Sequence, residues 1–175
     1  MFDSHCHLTD GRFDEDRAVV LDAAFQAGVT RIVTVASNLE DARAAAKLAG
    51  SHAELAGSHA ALWSTAGIHP HEVSETEDAD LAAVRELAAT DPRVVAIGET
   101  GLDYFYDHSP RELQRRWFEA QLEVAAELDL PIVIHTRDAE NDTISALRNA
   151  SRSARKVLHC FTGSLKLLEV GLEEG

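Results

Sequence analysis

His5 and His7 in FDSHCHL, His69 in GIHPH, Glu99 in GETGLD, His135 and Arg137 in VIHTR, and His159 in LHCF are the residues of this chain whose types and spacing suit chemistry. Imidazole nitrogens with a carboxylate are the donor set of zinc and related divalent ions, and hydrolytic sites often hold two such ions a few ångströms apart. An arginine beside them offers a planar fork of donors to a phosphate. His-x-His alone says little. Side chains alternate along a strand, so His5 and His7 share a face while Cys6 takes the other, yet an exposed polar pair would read the same way. A single histidine at the end of a core strand is more often structural than functional. The set gains weight because its members fall at the ends of five separate apolar runs.

Those runs belong to a longer series: MFDSHCH, RIVTVA (Arg31 to Ala36), LWSTAGIH (Leu62 to His69), VVAIGETG (Val94 to Gly101), PIVIHTR (Pro131 to Arg137) and KVLHCF (Lys156 to Phe161). Each reads as a strand. Between them lie helical patterns, with Leu81, Val84 and Leu87 at spacing three and Leu113, Trp117, Val124 and Leu128 along a longer amphipathic segment. Ser37 with Glu40 and Ser109 with Glu112 fit capping boxes, Pro110 fits a first helical position, and Gly28 and Gly50 fit helix ends. Strand and helix alternating at roughly thirty residues predicts βα units and a parallel sheet. A doubly wound nucleotide fold would carry a glycine-rich turn after its first strand; HCHLTDGRF has no G-x-G-x-x-G, so a TIM-type (β/α) barrel is favoured. Barrel active sites lie at the C-terminal ends of the strands, where the histidines and Glu99 fall.

Composition narrows the function classes. The 175 residues carry 16 basic and 30 acidic side chains, net −14, which argues against broad electrostatic adhesion to nucleic acid, though a site neutralised by metal can still accept an anion. No apolar stretch approaches the ~18 residues of a membrane span and the chain start lacks a basic, apolar leader, so a cytoplasmic protein with no membrane partner is expected. Cys6 and Cys160 are then expected reduced and buried, acting as small hydrophobes that face away from the ligands. His52, His59, His71 and His108 receive no role.

Read together, FDSHCHL, GIHPH, GETGLDYFYDHSP, PIVIHTRDA and LHCFTGS resemble, in order and spacing, the motifs of the TatD-type metal-dependent deoxyribonuclease family, from residue 1 to the last. The resemblance implies an amidohydrolase-like barrel with two divalent ions (zinc, magnesium or manganese). His5 and His7 would bind one, Glu99 would bridge both as the catalytic carboxylate, and His135 with His159 would complete the second. His69 and Arg137 would meet substrate phosphate. Several amidohydrolase-like barrels bridge their metals with a carboxylated lysine; glutamate in IGETGLD points to the nuclease branch. The implied reaction is hydrolysis of phosphodiester bonds in DNA, single-stranded ends being the expected substrate.

The chain also departs from that family. An eight-stranded barrel takes about 250 residues, and six strands are legible here, so residues 1–175 are expected to form one hydrolase domain that is C-terminally incomplete. The family's aspartate at the end of the last strand has no counterpart, which would leave the first metal site short of a ligand and the second intact. Truncation, a natural remnant completed by a partner, and a degenerate version kept for binding are the competing explanations, and the abrupt close at GLEEG favours truncation. Unpaired edges on the first and sixth strands would invite self-association. The alternatives to a nuclease are a metal-binding but inactive fragment and an amidohydrolase-type esterase or lactonase.

Overall fold

The six apolar runs form six strands, β1 (Phe2–Cys6), β2 (Arg31–Thr34), β3 (Ala61–Ala66), β4 (Val94–Asp103), β5 (Ile132–Arg137) and β6 (Lys156–Leu158). The computed structural model describes residues 1–55 and 61–174, with side chains at 52–55 left out. His59 and the side chain of His52 therefore lie outside the described residues. Six α-helices follow the strands in turn: α1 (Arg17–Gln26), α2 (Leu39–Leu55), α3 (Asp78–Thr90), α4 (Arg111–Leu128), α5 (Glu140–Asn149) and α6 (Leu165–Glu174).

All neighbouring strands pair in parallel, and their spatial order is the chain order, β1 to β6. The order never reverses, so there is no switch point of the doubly wound kind. Successive βα units of one hand curl such a sheet into a stretch of (β/α) barrel, here with β1 and β6 as its edges. The larger apolar cluster, with Val84, Ile97, Phe118, Ile132, Ile134 and Leu147, lies between the later strands and α3, α4 and α5. A smaller one, Leu8, Leu21, Ile32, Ala49 and Leu62, joins the early strands to α1 and α2, with Cys6 packed at its margin.

Helix α4 buries two glutamines seven residues apart on its apolar face. The side-chain amide of Gln121 accepts from the Ile68 N–H at 2.8 Å and donates to the Ile68 carbonyl at 3.0 Å. Gln114 does the same for Asp103, at 2.8 and 3.1 Å. Each amide stands in for a strand neighbour where the ladder has run out, since a buried backbone group left unpaired is costly. Both therefore fix the strand ends that carry polar residues.

Several end signals differ from those expected. Gly28, at φ +91°, does follow α1, but Gly50 lies inside α2. At the start of α2 the Asn38 side chain accepts from the Asp41 N–H at 3.0 Å and Asp41 accepts from the Ser37 N–H at 2.8 Å, so the cap sits one residue beyond Ser37 and Glu40. Ser109 does not cap α4, because its buried hydroxyl donates to the His71 carbonyl at 3.0 Å and is thereby committed to the connection after β3. Pro110 takes the cap position.

Candidate metal centre

Glu99 lies inside β4, only 3% exposed, and imidazoles from four other strand ends surround it. His159 Nε2 is 2.7 Å from Oε1, and His135 Nδ1 and His69 Nε2 are 3.2 and 3.8 Å from the same oxygen. His5 Nε2 and His7 Nε2 approach Oε2 at 3.3 and 3.7 Å. His5 and His7 share a face of β1 and its end, as alternation requires, and His159 directly follows β6, stacking on His5 with ring centroids 3.9 Å apart. His69 lies three residues past β3 rather than on it, anchored by its N–H to the Ser37 carbonyl at 2.8 Å. The site opens into a cleft of about 810 Å³ whose walls include Asn38, Tyr106 and Arg137.

Close approach of β4 and β5 makes this convergence possible. Gly101 pairs with His135 at φ +134°, and a Cβ there would collide with the His135 carbonyl oxygen. Only glycine satisfies both conditions.

The remaining hydrogen bonds decide which ring nitrogen faces the carboxylate with a lone pair. His7 Nδ1 lies 2.9 Å from the Val35 carbonyl, so it carries the proton and Nε2 is the free donor of electrons. His135 Nε2 lies 2.9 Å from Asp103 Oδ2, which leaves Nδ1 toward Glu99. A neutral His135 would set two lone pairs across 3.2 Å, an arrangement that a proton or a metal ion between them would relieve. His69 is the reverse case. Its Nδ1 accepts from the His71 N–H at 3.2 Å, so Nε2 bears the proton and points a donor into the site. Distance alone groups His69 with Glu99 and His135 as it groups His5 and His7 with Glu99, but this tautomer makes His69 a hydrogen-bond donor. Both ring nitrogens of His5 are buried, and among the described residues neither makes a well-directed hydrogen bond, Nε2 lying 3.3 Å from Glu99 Oε2.

Electrostatics set the charge of these groups. Burial pushes the Glu99 carboxyl toward protonation, but the imidazoles of His135 and His159 outweigh it and hold the pKa far below the usual carboxylate range. Burial pushes His69 down to about 3, against the pull of Glu99, and keeps it neutral. On His135 burial acts downward too, yet Glu99 and Asp103 on its two sides raise its pKa. With its imidazole nitrogens converging on one ionised carboxylate, this donor set fits a divalent cation.

Arg137 ends β5, exposed at the cleft wall. Its guanidinium carbon lies 4.0 Å from the centre of the Phe105 ring and 4.8 Å from that of Tyr106. The guanidinium therefore sits over both rings.

Two residues of this centre escaped the sequence reading. Asp103, fully buried, accepts from His71 Nε2 at 3.1 Å as well as from His135, and from the backbone N–H groups of Phe105 and Tyr106 at 3.1 and 2.8 Å. His71, given no role above, thus belongs to the network behind the site. The available signals were the spacing of Asp103 four residues after Glu99, on the same strand face, and the second His-x-His in GIHPH. His108 stands edge-on to His71 at 4.7 Å between centroids. The cysteines divide. Cys6 faces away and donates to the Val33 carbonyl at 3.5 Å, and burial, with Asp3, pushes its thiol up to about 12. Cys160 is exposed on the cleft wall at φ +45°, because β6 stops at Leu158 and alternation no longer governs it. Both are free thiols.

This fold recurs in known proteins. The chain is 40% identical over 176 residues to the 3'-5' ssDNA/RNA exonuclease TatD of Escherichia coli K12 and 42% identical to that of Erwinia amylovora. In both cases all of the chain is matched, and it spans 65% of the relative's length. The crystal structure of the TatD homologue YJJV from Escherichia coli superimposes with a TM-score of 0.86 at 30% identity, covering 99% of this chain and 65% of that one. A TatD family hydrolase structure from Entamoeba histolytica gives 0.87 at 26% identity, with 99% and 62% covered. A sequence model of TatD related DNases matches residues 2–175, and the chain belongs to that family.

Proposed function

We propose that this chain carries the metal centre of a hydrolase that cleaves phosphodiester bonds in DNA, with single-stranded ends as substrate. The observation that carries the reading is one buried carboxylate ringed by five imidazole nitrogens within 3.8 Å. Relatives whose names specify single-stranded DNA and RNA exonuclease activity support the substrate class. His5, His7 and Glu99 would hold one ion, and Glu99, His135 and His159 a second. Imidazole-rich coordination suits zinc better than magnesium. Bound there, a divalent ion would supply Lewis-acid stabilisation of the phosphoryl charge and a more acidic water.

The chain's own groups would do the rest. Glu99, the catalytic carboxylate, stays ionised and keeps the ligands in register. His69, neutral and donating through Nε2, would bond a nonbridging phosphate oxygen, and Arg137 would hold the same phosphate through its N–H edge. Residues 1–175 would act as one domain in a cytoplasmic setting. Exposed Phe2 on β1 and Val157 on β6 make self-association the expected behaviour of this chain, checked by sedimentation velocity over a concentration series.

The direct test is hydrolysis of a labelled single-stranded oligonucleotide. Activity should vanish with chelator, return with zinc or manganese, and fall by at least about 10²-fold in Glu99→Ala. Undiminished cleavage in Glu99→Ala would refute the proposal, and turnover of esters or lactones in place of oligonucleotides would redirect it to another hydrolase class.

A further inference from the structure

The β4–α4 connection carries two large aromatic side chains that the metal centre does not use. Phe105 and Tyr106 are 55% and 51% exposed, although aromatic rings are ordinarily among the most buried groups. Their exposure does not come from an open sheet edge, since β4 has a strand on each side. Nor is the connection loose. Both backbone N–H groups are held by Asp103 Oδ1, on the carboxylate whose Oδ2 takes His71 and His135, and the Tyr104 N–H donates to the Arg137 carbonyl at 2.9 Å. The rim and the metal centre are therefore fixed to one buried group.

The two rings differ in what surrounds them. Tyr106 has Arg137 4.8 Å away, a parallel His108 at 5.6 Å and an edge-on His71 at 5.7 Å. Phe105 has the Arg137 guanidinium at 4.0 Å and the edge of Tyr106 at 4.9 Å, and more than half of it still meets solvent. Among the described residues Arg137 has no carboxylate partner, whereas Arg12, Arg111 and Arg115 are paired with Asp10, Asp107 and Asp142. An exposed ring thus sits directly against a cation that is free to take a phosphate.

We infer that Phe105 is the stacking platform for one nucleobase of a single strand whose phosphate lies in the metal cleft. The inference rests on the proposed nuclease reading and adds to it the group that selects unpaired bases. A chain of net charge −14 gains little from long-range attraction to a polyanion, so short-range stacking must supply affinity. Stacking tolerates any base, because every base has a π face, but a base inside a duplex already has both faces covered. The platform therefore favours single strands without reading sequence.

The test is fluorescence anisotropy with phosphorothioate-linked oligothymidine, which resists cleavage, against an oligomer of the same length built of abasic units. Phe105→Ala, at an exposed position, should keep the wild-type thermal midpoint yet bind oligothymidine about tenfold to a hundredfold more weakly, while its affinity for the abasic oligomer stays at the wild-type value. Phe105→Trp should bind oligothymidine at least as tightly as the wild type. Equal binding of oligothymidine by wild type and Phe105→Ala, or equal wild-type binding of the two oligomers, would overturn the platform and leave the nuclease reading standing. Wild type that binds neither oligomer would overturn both.

Discussion

Glu99 is surrounded by more imidazole than one negative charge needs, and the arrangement is ordered by groups one layer further out. Asp103 is the clearest of these. By accepting a hydrogen bond from His135 Nε2 it leaves Nδ1 toward Glu99, so Asp103→Asn should weaken zinc binding about 10- to 100-fold in calorimetry with the protein still folded. The same variant should shift the imidazole ¹⁵N resonances of His135, a response that a purely structural role would not produce. His69 gives a pH prediction. Its pKa is lowered in the folded chain to about 3 from 6.5, so its contribution to stability is complete above about pH 6.5 and is lost as pH falls toward 3, because the unfolded imidazole takes a proton that the folded one refuses. Its ring should therefore still read as neutral by NMR at pH 5, and a protonated ring there would contradict the burial argument. His5, His7, Glu99, His135 and His159 were legible as a group because each marks the end of an apolar run. Asp103 and His71 were not, since their importance lies in hydrogen bonds to other side chains, which residue type and strand position do not reveal.

The βα alternation made all six strands legible, and parallel order followed from the helices between them. What the pattern missed were polar residues on apolar faces. Gln114 and Gln121 interrupt the buried stripe of α4, and only the structure explains them, as clamps on the strand ends that bear Asp103 and precede His69. Gln121→Ala would leave the Ile68 N–H and carbonyl unpaired, at a cost of about 1–3 kcal/mol, and should lower the thermal midpoint by several degrees. Gly101→Ala should be more damaging, because its backbone is left-handed and a methyl group meets the His135 backbone. It should lose zinc affinity along with stability, whereas Gln121→Ala should lose mainly stability. The cap at Ser109 failed for a similar reason, since tertiary contact claimed its hydroxyl first.

For the molecule as a whole, acidic charge and the proposed nucleic-acid substrate would be reconciled by confining recognition to one cleft. That cleft places the neutral His69 donor, an arginine with no carboxylate partner among the described residues, and an aromatic rim around a site suited to cations. The sheet that builds it is a partial barrel, and its strand order accounts for the convergence: β1, β3, β4, β5 and β6 each deliver a side chain from the same end of the sheet. Everything rests on a divalent cation being held at Glu99. The most direct measurement is an anomalous-scattering map, collected at the zinc edge from crystals grown with zinc. A peak is predicted at about 2.0–2.3 Å from a Glu99 oxygen and from at least two of His5 Nε2, His7 Nε2, His135 Nδ1 and His159 Nε2. Zinc bound elsewhere in the folded protein, with no peak against Glu99, would contradict the account.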